Sequence, residues 1–199
     1  MAAAPFLVGA ILAGGEGRRM GGTDKALLPL AGRPLAAHLA DRLHPQVQAL
    51  AISANGDPAR LAFLGLPVLP DTPPSRGPLS GVLAALLWAR AQGATALVTA
   101  AVDTPFLPPD LAPRLLAAGQ GRLTLARSDA RLHPTAALWP VSLAGDLQDF
   151  LASGETPRMM SFVQRHAPAL ADMPEGSLAN LNTPADIAAA EARLGGRAP

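Results

Sequence analysis

The chain has 199 residues, of which 49% are hydrophobic and 16% charged, and its net charge is +1. This composition excludes an intrinsically disordered chain. The near-neutral charge, with two tryptophans, five phenylalanines and no tyrosine, argues against a nucleic-acid-binding surface. The absence of cysteine excludes disulfides and thiolate metal sites, fits a reducing compartment and predicts a cytoplasmic protein.

The first apolar segment predicts a buried strand over residues 6–12. No basic residue precedes this segment, and it is too short for a membrane span of roughly 20 residues. We therefore expect neither a signal peptide nor association with a membrane. The length fits one α/β domain over residues 1–199.

Strands and helices alternate through the first 120 residues. Apolar runs predict strands over residues 6–12, 50–53, 67–70 and 95–102. Helical periodicity and capping patterns predict helices over residues 34–43 (with Pro34 in the first position), from Asp57-Pro58, over 78–91, and over 111–118 with Gly119 ending the last. Such alternation is typical of a parallel sheet with helices on both faces.

The pattern changes after residue 120. Residues 123–126 and 135–139 alternate like an antiparallel pair, and helices are predicted over residues 142–152, after a Thr156-Pro157 cap, and after a capping box formed by Thr183 and Asp186. We therefore predict a three-layer α/β fold, a mostly parallel doubly wound sheet with a mixed C-terminal extension.

A glycine-rich segment with three cations follows the first strand. Residues 14–25 hold five glycines together with Arg18, Arg19 and Lys25, the only lysine among 16 basic residues. Ligands of open α/β sheets bind at the carboxyl ends of strands, where glycines let backbone N–H groups turn toward an anion. The segment predicts a polyphosphate site, and the alternative is a surface loop with solvated arginines.

Two standard phosphate motifs do not match this segment. A Walker A loop requires Lys after its second glycine, but Thr23 follows Gly22. A dinucleotide fingerprint requires a third glycine where Met20 stands. An ordinary P-loop NTPase and a Rossmann dehydrogenase are therefore disfavoured.

Polar residues at later turns complete the set of candidates. Asp71 and Asp103 follow predicted strands, and one or two carboxylates with substrate phosphates suit Mg²⁺; the alternative for both is a turn before Thr-Pro. Asn180 and Asn182 can bond a base or phosphate or serve as turn residues. Arg158 is either a solvated charge or a side chain reaching the site.

A nucleophilic triad is not evident in the sequence, which suits a reaction whose nucleophile is already anionic. A phosphate oxygen needs no strong protein base near neutral pH, so the protein supplies positioning and charge neutralisation.

Taken together, these motifs resemble the molybdenum cofactor guanylyltransferases of the MobA type, within the nucleotidyltransferase superfamily. The resemblance spans nearly the whole chain. Its motifs are Leu12-Ala13-Gly14-Gly15, Arg18-Arg19-Met20-Gly21-Gly22, Asp24-Lys25, Arg76-Gly77-Pro78-Leu79-Ser80-Gly81, Asp103-Thr104-Pro105-Phe106, His133-Pro134-Thr135 and Asn180-Leu181-Asn182-Thr183-Pro184.

The resemblance implies a nucleotide-diphospho-sugar-transferase-like fold and transfer of GMP from GTP to the phosphate of molybdopterin, with Mg²⁺ at Asp103. It further implies transient contacts with other proteins of molybdenum cofactor biosynthesis or with acceptor proteins. The implied catalytic residues are Lys25, Arg19 and Asp103. The implied nucleotide-binding residues are Leu12, Ala13, Gly14, Gly15, Lys25, Asn55, Asp71 and Asp103. The implied molybdopterin-binding residues are Arg158, Asn180 and Asn182.

One departure concerns the base or ribose. Family members often carry Asn-Ala-Asn where this chain has Ser53-Ala54-Asn55, which questions a contact at Ser53 and shifts the expectation to Asn55.

Three alternatives stay open. A molybdopterin cytidylyltransferase tends to carry Leu-Ala-Ala-Gly where this chain has Leu-Ala-Gly-Gly. A sugar-phosphate nucleotidyltransferase shares the fold and the loop, and a non-catalytic nucleotide-binding partner protein shares the phosphate site.

Overall fold

Seven strands of the described residues form one sheet, and two more form a small hairpin. The computed structural model describes residues 5–14, 24–71 and 77–196. The strands are β1 (Leu7–Leu12), β2 (Pro29–Leu30), β3 (Arg33–Pro34), β4 (Ala49–Ser53), β5 (Val68–Leu69), β6 (Ala96–Ala101), β7 (Thr124–Ser128), β8 (Arg131–Pro140) and β9 (Ala169–Asp172). The sheet order is β5-β4-β1-β6-β8-β7-β9, and β2 pairs with β3.

Six α-helices accompany these strands in the described part of the chain, five between strands and one after the last strand. They are α1 (Leu35–Leu43), α2 (Pro78–Ala91), α3 (Leu111–Gly119), α4 (Ala144–Ala152), α5 (Met159–Gln164) and α6 (Pro184–Gly195). Short 3-10 helices cover Lys25–Leu27, His44–Gln46, Pro58–Leu64 and Val141–Leu143. In the described ranges the longest helix has 14 residues, and none combines the length and apolar character of a membrane span.

The strand directions confirm the predicted fold class. Strands β5, β4, β1 and β6 are parallel, whereas β8 runs antiparallel to both β6 and β7. Strand β9, which the sequence did not predict, then pairs parallel with β7. The mostly parallel half and the mixed extension are therefore both present.

Two cores on opposite faces of the sheet give the three layers. All six residues of β1 are buried, as expected for a strand covered on both faces. One core packs side chains of α1 and α3, among them Leu39 and Leu115, against the sheet. The other packs α2, α4 and α5, including Leu147 and Phe162.

Two predicted helix starts need correction. Pro34 precedes α1 as its N-cap residue and belongs to β3, because its ψ of 144° is extended. The Thr156-Pro157 pair does not cap α5, because Arg158 is the N-cap residue and its N–H donates to the Thr156 carbonyl instead. Arg158 therefore precedes the helix, although a cap at Thr156-Pro157 would have placed it in the first turn.

Gly119 is the last residue of α3, and the left-handed position belongs to Gln120, whose φ is 49°. The predicted end of the helix at Gly119 is confirmed. A Cβ on Gly119 would overlap Thr124 Oγ1, which is buried and donates to the Arg122 carbonyl at 3.0 Å. Gly119 is thus needed for the close approach of α3 to β7.

We expect Gly119→Ala to destabilise the fold by about 1–3 kcal/mol, the usual cost of overpacking a filled core. Urea unfolding measures this difference. The matched control is Gly145→Ala in α4, where an added Cβ meets nothing within 4 Å and alanine favours the helix. Equal unfolding free energies for the two variants would contradict this packing role.

Candidate active site

The parallel strands bring the candidate residues to one edge of the sheet. Asp71, Asn55, Gly14 and Asp103 each follow one of the four parallel strands, so all lie beyond carboxyl ends on the same side. The antiparallel turn between β7 and β8 lies at that edge too. The fold therefore places the predicted nucleotide residues together.

An ion pair joins Lys25 and Asp103, two of the predicted catalytic residues. Lys25 Nζ donates to Asp103 Oδ2 at 2.9 Å and to Asn182 Oδ1 at 2.7 Å. The side chains of Lys25 and Asp103 are 26% and 12% exposed, so the pair is partly shielded from water but open to a ligand.

The backbone of Asp103 lies in the turn that follows β6, but its side chain does not close that turn. Thr104 closes that turn, since its hydroxyl donates to the Ala101 carbonyl at 2.6 Å. The Asp103 carboxylate instead faces Lys25, and its Oδ1 is buried without a hydrogen-bond partner among the described residues. The alternative of a capping aspartate is therefore not supported.

This carboxylate fits a divalent cation shared with a substrate. The described residues contain no cluster of three or more His, Asp or Glu side chains that could hold a metal alone. Mg²⁺ commonly uses one or two carboxylates and takes its remaining ligands from water and phosphates. Asp103 Oδ1 can provide one such oxygen while Oδ2 keeps Lys25.

Asn182 is held by the start of α6. Asp186 Oδ2 accepts the N–H groups of Asn182 and Thr183, each at 2.8 Å, and the Thr183 hydroxyl accepts from the Asp186 N–H. These hydrogen bonds hold the pKa of Asp186 below its ordinary value, and the one from the Asn182 N–H has the largest effect. The predicted capping box is confirmed, and it aims Asn182 at Lys25.

Asn55 and Asp71 hold each other at the ends of β4 and β5. Asn55 Nδ2 donates to Asp71 Oδ2, and the Asp71 N–H donates to Asn55 Oδ1, both at 2.9 Å. This reciprocal pair fixes the orientation of the Asp71 carboxylate beside Gly14, where an added Cβ would lie 4.0 Å from Asp71 Oδ1.

Ser53 lies beneath this surface. It is fully buried, and its hydroxyl has no hydrogen-bond partner in the described part of the chain. A Cβ on Gly81 would come within 2.6 Å of Ser53 Oγ, so α2 packs directly on it. A ligand can reach Asn55, which is exposed, but it cannot reach Ser53.

The end of β1 is clamped by its neighbours. The Leu12 carbonyl accepts from Val102 N at 3.0 Å, and Ala13 N donates to the Ser53 carbonyl at 2.9 Å. Gly14 is exposed, so of these three residues it presents the most open backbone to a ligand. Gly15 and Arg19 lie outside the described residues.

A cavity of about 650 Å³ adjoins the ion pair. Asn180 and Asn182 border it, so the structure brings both predicted asparagines to one hollow. Its other lining residues come mainly from the β7–β8 hairpin and the segment before α6: Asp129, Arg131, Leu132, His133, Pro134, Thr135, Leu178 and Ala179.

The β7–β8 hairpin supplies a polar wall of this cavity, for which His133-Pro134-Thr135 was named from the sequence only as a family motif without a role. Ser128 Oγ lies 3.0 Å from His133 Nε2 and donates to Asp129 Oδ2 at 3.1 Å. The predicted hairpin was the available signal, because residues at its turn must meet across the two strands. Burial lowers the pKa of His133, an effect that a hydrogen bond to the Ser128 backbone partly offsets.

Arg158 stands apart from this assembly. It is exposed at the start of α5, a helix that packs with the core on the α2 side of the sheet. Among the described residues, no polar contact joins its side chain to Lys25, Asp103 or the cavity wall. Its predicted contact with molybdopterin stays a prediction.

We expect the His133 imidazole to titrate below the ordinary value of 6.5. Between the pKa of folded His133 and 6.5, the unfolded chain binds more protons than the folded chain. The contribution of the neutral His133 ring to the free energy of unfolding is therefore present above pH 6.5 and is lost as the pH falls through the pKa of the folded state. NMR titration of the ring protons, assigned with His133→Gln, measures it. A midpoint at or above the ordinary value would contradict burial as the dominant cause.

Comparisons with known proteins show the family of this chain. The family model of the MobA-like NTP transferase domain matches residues 9–170. The chain is 62% identical over 189 residues to a molybdenum cofactor guanylyltransferase of Cereibacter sphaeroides, covering 94% of this chain and 97% of the relative.

Two solved structures share the fold. The molybdopterin-guanine dinucleotide biosynthesis protein A of Archaeoglobus fulgidus matches with a TM-score of 0.74 and 23% identity, covering 95% of this chain and 99% of that one. The 4-diphosphocytidyl-2C-methyl-D-erythritol synthase of Anaerococcus prevotii matches with a TM-score of 0.76 and 13% identity, covering 96% of each chain. The fold is thus a nucleotidyltransferase fold, the resemblance stated from the sequence is confirmed, and the chain belongs to the MobA-like NTP transferase family.

Proposed function

We propose that this protein transfers GMP from GTP to the terminal phosphate of molybdopterin, forming molybdopterin guanine dinucleotide and pyrophosphate. The guanylyltransferase named among its relatives supports this reaction. The observation that carries the proposal is the position of Asn182. It bonds Lys25 beside Asp103 and also borders the large cavity, so a phosphate chain and an acceptor can meet there.

The nucleotide belongs on the side of the parallel strands. Gly14 offers an exposed backbone, and the Asn55–Asp71 pair offers a fixed carboxylate and amide for the ribose or base. Lys25 faces the position of the phosphates. The proposal also assigns nucleotide binding to Gly15 and neutralisation of phosphate charge to Arg19, both of which lie outside the described residues.

The acceptor belongs in the cavity. Its volume lies within the roughly 300–1,000 Å³ of small-molecule sites. Its asparagines, Thr135 and His133 can bond the polar pterin, and Arg131 contributes positive charge for a phosphate. Arg158 would extend this surface only if the acceptor reaches beyond the cavity.

The reaction itself needs positioning more than proton transfer. A terminal phosphate oxygen of molybdopterin attacks the α-phosphorus of GTP in line; the new O–P bond forms as the bond to the bridging oxygen breaks, and pyrophosphate leaves with that electron pair. Lys25 stabilises the developing charge, and Asp103 holds Lys25 through Oδ2.

Mg²⁺ is part of this proposal. Asp103 would hold the ion through its unpaired Oδ1, and the bound ion supplies charge neutralisation for the triphosphate. We place the reaction in the cytoplasm, where GTP is available, with transient contacts to proteins that deliver molybdopterin or collect the product.

We expect a dinucleotide product with GTP and none with CTP, ATP or UTP when the protein is incubated with molybdopterin and Mg²⁺. Mass spectrometry of the product identifies the base. The fold is shared with a diphosphocytidyl synthase, so the fold alone does not determine which base is used, and the base found in the product tests the proposal. A cytosine dinucleotide would replace the proposal with the cytidylyltransferase, and nucleotide binding without product would indicate a non-catalytic partner protein.

We expect Lys25→Ala and Asp103→Asn each to lower kcat by about 10²-fold or more, the scale for losing one preorganised charge. Steady-state kinetics measures the loss. The matched control is Asp110→Asn, which removes an exposed carboxylate paired with Arg114 on α3 and should leave kcat unchanged. Near-normal turnover of either site variant would remove that residue from the mechanism.

A further inference from the structure

An ion pair outside the proposed reaction centre supports the residue next to Lys25. Asp24 Oδ1 accepts the Ala26 N–H at 2.9 Å and so caps the 3-10 helix Lys25–Leu27. Its other oxygen, Oδ2, accepts from Arg60 Nε at 2.6 Å. Both carboxylate oxygens of Asp24 are therefore occupied by groups other than the neighbouring ammonium.

Arg60 is itself fixed by a separate element. It lies on the 3-10 helix Pro58–Leu64, which Asp57 caps by accepting from the Ala59 N–H at 2.9 Å. Arg60 Nη1 donates to the Asp57 carbonyl at 2.7 Å. Leu61, the next residue, is fully buried in the core beneath α1, so the guanidinium is anchored to the rigid part of the domain.

Lys25 depends on such outside support. It begins a 3-10 helix of only three residues, and such short helices have little stability of their own. Its long side chain must nevertheless keep the ammonium at Asp103 and Asn182. A shift of about 1 Å in a catalytic group can cost about 10²-fold in rate.

Asp24 is also a competitor for the ammonium. It is adjacent in sequence to Lys25, and a free carboxylate there could draw Nζ away from Asp103 by charge attraction. Arg60 satisfies Oδ2 of Asp24 in a pair whose side chains are about a quarter exposed, 24% for Arg60 and 25% for Asp24. The bond to Arg60 therefore leaves the ammonium to Asp103 and Asn182.

We propose that Arg60 is a positioning residue for Lys25: by binding Asp24 it holds the backbone of Lys25 and keeps Asp24 from pairing with the ammonium. This inference rests on the proposed function. It assigns a role in transfer to a 3-10 helix that contributes no residue to the ion pair or to the cavity wall described above.

The experiment is a double-mutant cycle on kcat for dinucleotide formation with Arg60→Met and Lys25→Ala. We expect Arg60→Met to lower kcat about tenfold in the wild-type background, with a smaller change in the KM for GTP. In the Lys25→Ala background the same change should have no further effect, because the group that Arg60 positions is gone.

Two further variants separate positioning from general stability. Asp24→Ser keeps a capping hydroxyl but loses the bond to Arg60, so it should lower kcat, though less than Arg60→Met, because it also removes the competing carboxylate. Arg114→Met is the matched control, since it breaks a similar pair with Asp110, Nε to Oδ2 at 2.7 Å, on α3. It should lower the melting temperature comparably and leave kcat unchanged.

The outcomes are distinct. Arg60→Met and Asp24→Ser variants with the kcat of the Arg114→Met control, or an equal loss from Arg60→Met with and without Lys25, would overturn the positioning role. If Arg60→Met does not fold, Asp24→Ser alone decides between these results. If the wild-type protein forms no dinucleotide, the proposed function itself is wrong. The wild-type protein is therefore assayed before any variant.

Discussion

The geometry of this protein depends on one contact between distant parts of the chain, the ion pair of Lys25 and Asp103. Its partners are separated by 78 residues and meet because β1 and β6 are parallel neighbours with their carboxyl ends at one edge. Asn182 adds a third segment, contributed by the start of α6. Partly buried charged groups of this kind are enriched at functional sites, and this pair lies where the proposal puts the substrate phosphates.

Backbone contacts reinforce the same meeting point. The Leu181 N–H donates to the Asp103 carbonyl at 2.8 Å, and Leu181 packs with Phe106 and Leu30 in a small third core. Arg193 of α6 lies over the Phe106 ring at 4.1 Å. The last helix therefore braces the loop after β6, and the residues on both sides of the proposed reaction centre are held by packing that does not itself contact the ligand.

The sequence predicted the parts of this picture that local pattern determines. The apolar run of β1, the helix of residues 78–91 and the capping box at Thr183 need only neighbouring residues, and each was found. The sequence pattern and the family resemblance both named Lys25 and Asp103 as site residues, but neither predicted their direct ion pair. Strand β9 could not be predicted, because four residues with one large apolar side chain form a strand only through pairing with β7. Arg60 was missed for the same reason, since its partner Asp24 is 36 residues away.

The most direct test is a crystal structure with Mg²⁺, molybdopterin and a GTP analogue whose α–β bridge cannot be cleaved. We expect a phosphate of the analogue within hydrogen-bond distance of Lys25 Nζ, the ion on Asp103 Oδ1, and the pterin in the cavity that Asn182 borders. A nucleotide bound away from Lys25 and Asp103, or an acceptor outside that cavity, would contradict this arrangement.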